Sequence, residues 1–256
     1  MGEHWYKRDG SSAYTTDGRD TTLRDARRHG YVPSVTTVLG VLHKDALVKW
    51  KEEQVAKAAY KYATNEGVWI DAMSVDQFVA DVLSKARQFP IDAANEGTRI
   101  HDACETYVRD GKCRPEYLPH AEAAYAELRK LFPDVDDWVC EKSFAHPLGF
   151  GGKVDLHSPS TRIVPDYKTK DGDFSDGKRL GWDQNWQLAA YQVGLGLAHP
   201  KRPETFAPGA AIFISRTHPG KVASYVWTAE QMYQGWQVFA AALQIHKLLK
   251  GYDASW

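Results

Sequence analysis

Residues 149–170 read GFGGKVDLHSPSTRIVPDYKTK: two short strands joined by the polar turn SPST. The strands carry Asp155, Asp166 and Lys168, three charges that an ordinary core does not bury unpaired. Side chains alternate faces along a strand, so Asp166 and Lys168 share one face and Tyr167 takes the other. In a hairpin, Asp155 comes opposite them, and two carboxylates and a lysine converge at its end. Oxygen ligands of this kind suit a hard divalent cation such as Mg²⁺ or Mn²⁺. A lysine beside them orients or deprotonates a water, or steadies a developing phosphoryl charge. Taken singly, each charge is equally at home on the outer face of an antiparallel sheet.

The flanks strengthen the functional reading. Gly151 and Gly152 precede the Asp155 strand, where missing side chains let a backbone or ligand approach closely. Downstream, QNWQLAAYQVGLGLA (184–198) has helical spacing and puts Gln187 and Tyr191 on one face. Upstream, NEGTRIHDACETYVRDG (95–111) reads as a helix ending at Gly111, with His101 and Glu105 on one face.

Further out, the chain is helical before Pro133. PSVTTVLGVL (33–42), a pattern from Leu47 to about Ala63, SVDQFVADVLSKARQF (74–89) and HAEAAYAELRKLF (120–132) all show helical spacing. Residues 1–32 are polar and turn-rich, and read as a solvated arm or small hairpin. After Pro133 come three strands, 138–146, 150–158 and 162–169, with HPLG and SPST as hairpin turns. The helix at 184–198 follows, then a strand at 209–217, its antiparallel partner at 221–227 and a closing helix at 228–251. Runs of one type followed by the other indicate an α+β or mixed α/β fold.

Bulk properties narrow the class. The chain has 256 residues, 43% hydrophobic and 25% charged, enough for one sizeable core. A net charge of −1 argues against a DNA-coating protein and leaves an enzyme with a charged cleft open. Three cysteines without a CxxC pair suit a reduced intracellular protein. With no apolar run at the N-terminus and none approaching the ~20 residues of a membrane helix, the expectation is a soluble, cytoplasmic protein.

The elements GTRIH, GGKVD, DYK and QLAAY, in this order, resemble the PD-(D/E)xK nucleases of the RecB-type branch. That branch looks like G-x-x-x-H, G-G-x-x-D, (D/E)-x-K and Q-x-x-x-Y. PSVTTVLGVLHKDALVKW (33–50) is similar to the N-terminal signature of phage and mitochondrial genome maintenance exonucleases. A (D/E)-x-K triplet alone means little; four elements in order on a helix–strand–strand–helix scaffold mean much more. The literal PDYK is not the family's P-D, whose aspartate corresponds to Asp155.

The resemblance implies a restriction-endonuclease-like αβββαβ core over 91–256, with an arm and helical elaboration over 1–90. It implies that Asp155 and Asp166 hold Mg²⁺ or Mn²⁺, with the Tyr167 carbonyl as an extra ligand and His101 as a further ligand or a substrate contact. Lys168 would position or activate the attacking water, Gln187 would hold Lys168 or the phosphate, and Tyr191 would pack nearby. Glu141 and Glu105 are auxiliary candidates. The activity implied is metal-dependent exonucleolysis of DNA from single-stranded ends, as in phage-type recombination, with a recombination protein as a partner and N-terminal helices threading the strand. Iron–sulfur variants of the branch carry four cysteines, three near the C-terminus; this chain has none after Cys140, so no cluster is expected. DNA-contact candidates are Arg99, Lys153, Lys170, Lys178, Arg179 and Arg216, with Trp182 and Trp186 for stacking. A surface cation or a core aromatic is as natural a role for each. Two rivals stand beside this reading. The His101–Asp102 dyad occurs in all-helical metal phosphohydrolases, but here it runs into a strand-rich half. A nuclease scaffold reduced to a DNA-binding partner would normally have lost a carboxylate or the lysine.

Overall fold

The computed structural model describes residues 3–42, 45–64, 74–175 and 183–256. Its elements make a mixed α/β protein. Among these residues no helix is long and apolar enough to cross a membrane. Contacts group the chain into two units: Met1–Leu42 with Ile100–Trp256, and His43–Arg99. Residue 90, after which the sequence reading starts the core, lies inside a long helix, as does the Arg99–Ile100 boundary between these units.

In the larger unit the N-terminal segment is not the solvated arm its polarity suggests. Strand β1 (Trp5–Tyr6), the ribbon β2 (Thr15–Thr16) and β3 (Arg19–Asp20), helix α1 (Leu23–His29) and strand β4 (Val32–Pro33) follow in turn, and β1 pairs antiparallel with β4. Trp5 and Ala26 are fully buried, in a cluster with Ala13 that Tyr252 joins from the far end of the chain. A Thr22–Asp25 capping box starts α1, and Arg19 forks onto Asp25 at 2.7 and 2.9 Å. Few but large aromatic residues hold this segment, which average polarity conceals. Helix α2 (Val35–Leu39) starts where Ser34 Oγ accepts the Thr37 amide, and ends at Gly40, short of the expected 42.

The smaller unit is helical. Helix α3 (Asp45–Ala63) and the first part of α4 (Val75–Asp110) share a cluster of Ala58, Tyr62, Val82 and Ala86. The sequence divides α4 into two helices around Pro90. The structure keeps one, because a proline removes a single amide donor and the turns on either side retain theirs.

The rest of the larger unit runs α5 (Leu118–Leu131), β5 (Val139–His146), β6 (Phe150–His157), β7 (Val164–Lys170), α6 (Gln184–Gly194), β8 (Gly209–Ser215), β9 (Val222–Trp227) and α7 (Ala229–Lys250). Strands β5 and β6 form the expected hairpin, with Phe144 opposite Gly152. Strand β7 runs parallel to β8, Asp166 beside Ala211 and Lys168 beside Phe213, and α6 makes the crossover. Strand β9 returns antiparallel to β8. The second expected hairpin is not formed: β6 and β7 are neighbours without a backbone ladder. Two cores cover the strands. One contains Phe144, Phe150, Val154, Val164, Leu188, Phe213 and Phe239, and the other Ile100, Cys104, Leu128, Leu156, Tyr167, Ile212 and Ile214.

Candidate functional site

The gap between β6 and β7 makes the site. On β7 and β8 the two-residue period sends Val164 and Phe213 into one core, and Tyr167 and Ile212 into the other. Asp166 and Lys168 therefore lie on the Val164 side, toward α6. On β6 the alternation breaks. Val154 lies in one core and Leu156, two residues later, in the other. The strand twists at the residue between them, Asp155. Its carboxylate turns sideways into the gap, and the Tyr167 amide donates to Asp155 Oδ2 at 3.0 Å. A side chain thus stands where a backbone carbonyl would complete a ladder. The amide and carbonyl of a strand residue point to the same edge, so the Tyr167 carbonyl also faces β6.

Asp166 is 3% exposed. Its Oδ2 pairs with the Lys168 ammonium, and its Oδ1 lies 3.4 Å from Gln187 Nε2. Gln187 Nε2 also donates to the Tyr191 hydroxyl at 2.7 Å. Helix α6 thus delivers one amide to the buried carboxylate from one face, as the four-residue spacing implied. Burial pushes the Asp166 carboxyl up from its usual value, Asp155 adds to the rise, and Lys168 and His101 oppose it. For Lys168, burial works to lower the ammonium, but Asp166, Asp155 and Asp183 outweigh it and hold it above its usual value. Burial likewise pushes the Tyr191 hydroxyl up, with Asp166 and Asp155 adding. Lys168 is accordingly a charged donor here, and Tyr191 a neutral hydroxyl.

His101, on α4, lies with Nδ1 3.5 Å from Asp155 Oδ2, its ring edge-to-face with Tyr167 at 6.2 Å. Glu105, one turn on, pairs with Arg109 at 2.7 Å, and burial raises its carboxyl. Glu141 on β5 pairs with Lys153 on β6. Asp155, Asp166, Lys168, Gln187, Tyr191 and His101 are thus brought together. Glu105, Glu141 and Lys153 form a charged flank beside them.

The remaining described DNA-contact candidates have partners of their own. Arg216 is held by Asp171 at 2.9 Å. Lys170 Nζ lies 5.2 Å from the Phe213 ring centre. Trp186 packs against the larger core, and Arg99, in the smaller unit, pairs with Glu96 at 3.0 Å. Lys178, Arg179 and Trp182 lie outside the described residues. Gly151 and Gly152 admit protein rather than ligand. A Cβ on Gly151 would meet the Phe144 carbonyl at 2.8 Å, and one on Gly152 the Phe144 and Tyr191 rings at 3.0 Å. Sequence reasoning missed Phe144, which braces Tyr191 edge-to-face at 6.1 Å. It also missed Asp183, whose charge reaches Lys168 from the N-terminal end of α6. A carboxylate one turn before Gln187 was the only signal.

Whether a divalent cation fits is decided by the donor set. Among the described residues no group of three or more His, Cys, Asp or Glu side chains is placed to hold a metal. Asp166 Oδ2 is nevertheless buried, with the Lys168 ammonium as its close ion-pair partner. Two carboxylates with a strand carbonyl suit Mg²⁺, which keeps several waters and needs no all-protein cage. The set fits such an ion and is too sparse for a structural zinc.

No protein-family profile and no curated protein matches the chain. Among solved structures, the crystal structure of SSO0001 aligns at 15% identity with a TM-score of 0.26. The alignment covers 50% of this chain and 61% of that one, and carries no argument.

Proposed function

We propose that the protein is a metal-dependent deoxyribonuclease of the PD-(D/E)xK kind, acting from DNA ends. The observation that carries this is the Asp155 carboxylate turned into the gap beside the buried Asp166–Lys168 pair. A fold built only for stability would close that gap with a ladder, because unpaired strand edges and buried carboxylates both cost free energy. The order of GTRIH, GGKVD, DYK and QLAAY supports the same reading, as does the placement of Gln187 on Asp166.

Asp155 and Asp166 would hold Mg²⁺ or Mn²⁺, with the Tyr167 carbonyl at the same edge and His101 behind Asp155. When bound, the ion supplies charge for the phosphoryl oxygens and lowers the pKa of a water. Lys168, held protonated by its carboxylate neighbours, donates to the attacking water or to a phosphoryl oxygen and offsets charge that develops in the transition state. It becomes a base only if its carboxylate partners are drawn elsewhere. Gln187 keeps Asp166 from rotating, and Tyr191 keeps Gln187 in place.

The test is degradation of end-labelled single- and double-stranded DNA with Mg²⁺, with Mn²⁺ and with EDTA, comparing wild type with Lys168→Ala and Asp166→Asn. Metal-dependent cleavage lost in both variants is expected. A circular single strand should resist. Absence of cleavage under every metal, with DNA binding retained, would overturn the enzymatic reading and leave a binding protein on a nuclease scaffold.

A further inference from the structure

Glu141 lies in the middle of β5 with φ +58°. That left-handed conformation is unfavourable for a non-glycine residue and foreign to strands. The β5–β6 ladder pairs Cys140 with Leu156 and Lys142 with Val154, but leaves out the intervening pair, Glu141 and Asp155. The register is the same on both sides, so no residue is inserted; the backbone is wrung at one point. Opposite that point β6 changes faces and Asp155 turns toward Tyr167. Strained backbone of this kind persists only where the surroundings enforce it, and it gathers at working sites.

We infer that Glu141 is a positioning residue: its left-handed turn twists the β5–β6 ribbon so that Asp155 leaves the ladder and enters the gap beside β7. From the nuclease reading this takes only that Asp155 is a working residue. Glycine is the usual occupant of such a position. Glutamate is found instead, and its carboxylate engages Lys153 on β6.

The Tyr167 amide reports directly on Asp155, because Asp155 Oδ2 is its acceptor. Amide hydrogen exchange measured by NMR on the metal-free protein would be compared in wild type, Glu141→Gly, Glu141→Ala, Glu141→Thr, Glu141→Val and Asp155→Ala. The β7–β8 ladder amides serve as the folding control. Asp155→Ala should expose the Tyr167 amide. Glu141→Gly should keep it protected, since glycine accepts the left-handed turn. Glu141→Ala, which bears about the same left-handed cost as glutamate, should exchange near the wild-type rate, whereas the β-branched Glu141→Val and Glu141→Thr should speed exchange on the order of tenfold. Mn²⁺ affinity by titration calorimetry should fall in the same order. A folded Glu141→Val or Glu141→Thr with the Tyr167 amide protected as in wild type overturns the inference. DNA cleavage plays no part in this readout, so an inactive wild type would refute the nuclease reading and leave the test of Glu141 standing.

Discussion

Replacing Gly152 by alanine adds one methyl group 3.0 Å from Phe144 Cε1 and Tyr191 Cε1, and 3.1 Å from Phe144 Cζ. Ordinary contacts start near 3.4 Å, so both rings must yield by several tenths of an ångström. Neither has free space: Phe144 and Tyr191 are 6% and 5% exposed and brace each other edge-to-face. Overpacking of this kind costs about 1–3 kcal/mol. A loss of about 2 kcal/mol lowers the melting temperature of a chain this size by roughly 4–8 °C. The same push moves the Tyr191 hydroxyl, 2.7 Å from the Gln187 amide that reaches Asp166. Cleavage turnover should therefore fall beyond what the folded fraction explains, with DNA affinity retained. Gly151→Ala should lose more stability, because its methyl meets the Phe144 carbonyl and the Tyr6 Cβ, which cannot rotate away. Scanning calorimetry and initial rates on the two variants test this. A Gly152→Ala protein with wild-type melting temperature and rate would refute the argument that these glycines make room for the Tyr191 brace.

Gln187→Ala removes the amide beside Asp166 from a half-buried position; turnover should drop about tenfold while the melting temperature changes little, a split that rate and melting measurements on one preparation resolve. Asp166 has a folded-state pKa raised mainly by burial, so the folded protein binds that proton more tightly than the unfolded chain, and the metal-free protein should gain stability as pH falls through the raised value. Asp166→Asn should lose that gain, and denaturant midpoints between pH 8 and pH 4 would show parallel curves for the two proteins if the reasoning is wrong. Trp5, fully buried in the N-terminal segment, should cost about 3–5 kcal/mol as alanine; a loss below 1 kcal/mol by chemical denaturation would return the segment to the solvated arm its polarity suggests.

Elements with a strong local signal were legible from the chain itself. Thr228 before α7, Ser34 before α2, the HPLG turn and the helical spacing of Gln187 and Tyr191 act within a few residues, and the structure has each where the spacing puts it. The alternation of Asp166, Tyr167 and Lys168 likewise follows from strand geometry alone. Three features escaped. Pro90 signals a break, yet α4 continues through it. The first 32 residues average out as polar, but Trp5, Tyr6 and Val32 bury against partners distant in the chain, and composition cannot weigh a single well-placed tryptophan. The left-handed Glu141 has no sequence signal, since nothing marks a glutamate as a residue forced to φ +58°.

The sequence by itself determined which groups are available: two aspartates, a lysine and a glutamine, on three elements whose internal periods place each on a known face. Only the tertiary structure decided that they meet, and how. A hairpin would have set Asp155 across a ladder from β7. Instead β7 takes β8 as its parallel partner through α6, β6 keeps β5, and the gap between the two pairs is filled by a carboxylate. Strand pairing depends on contacts tens of residues apart and on the twist each ribbon can sustain, and neither is written in the local pattern.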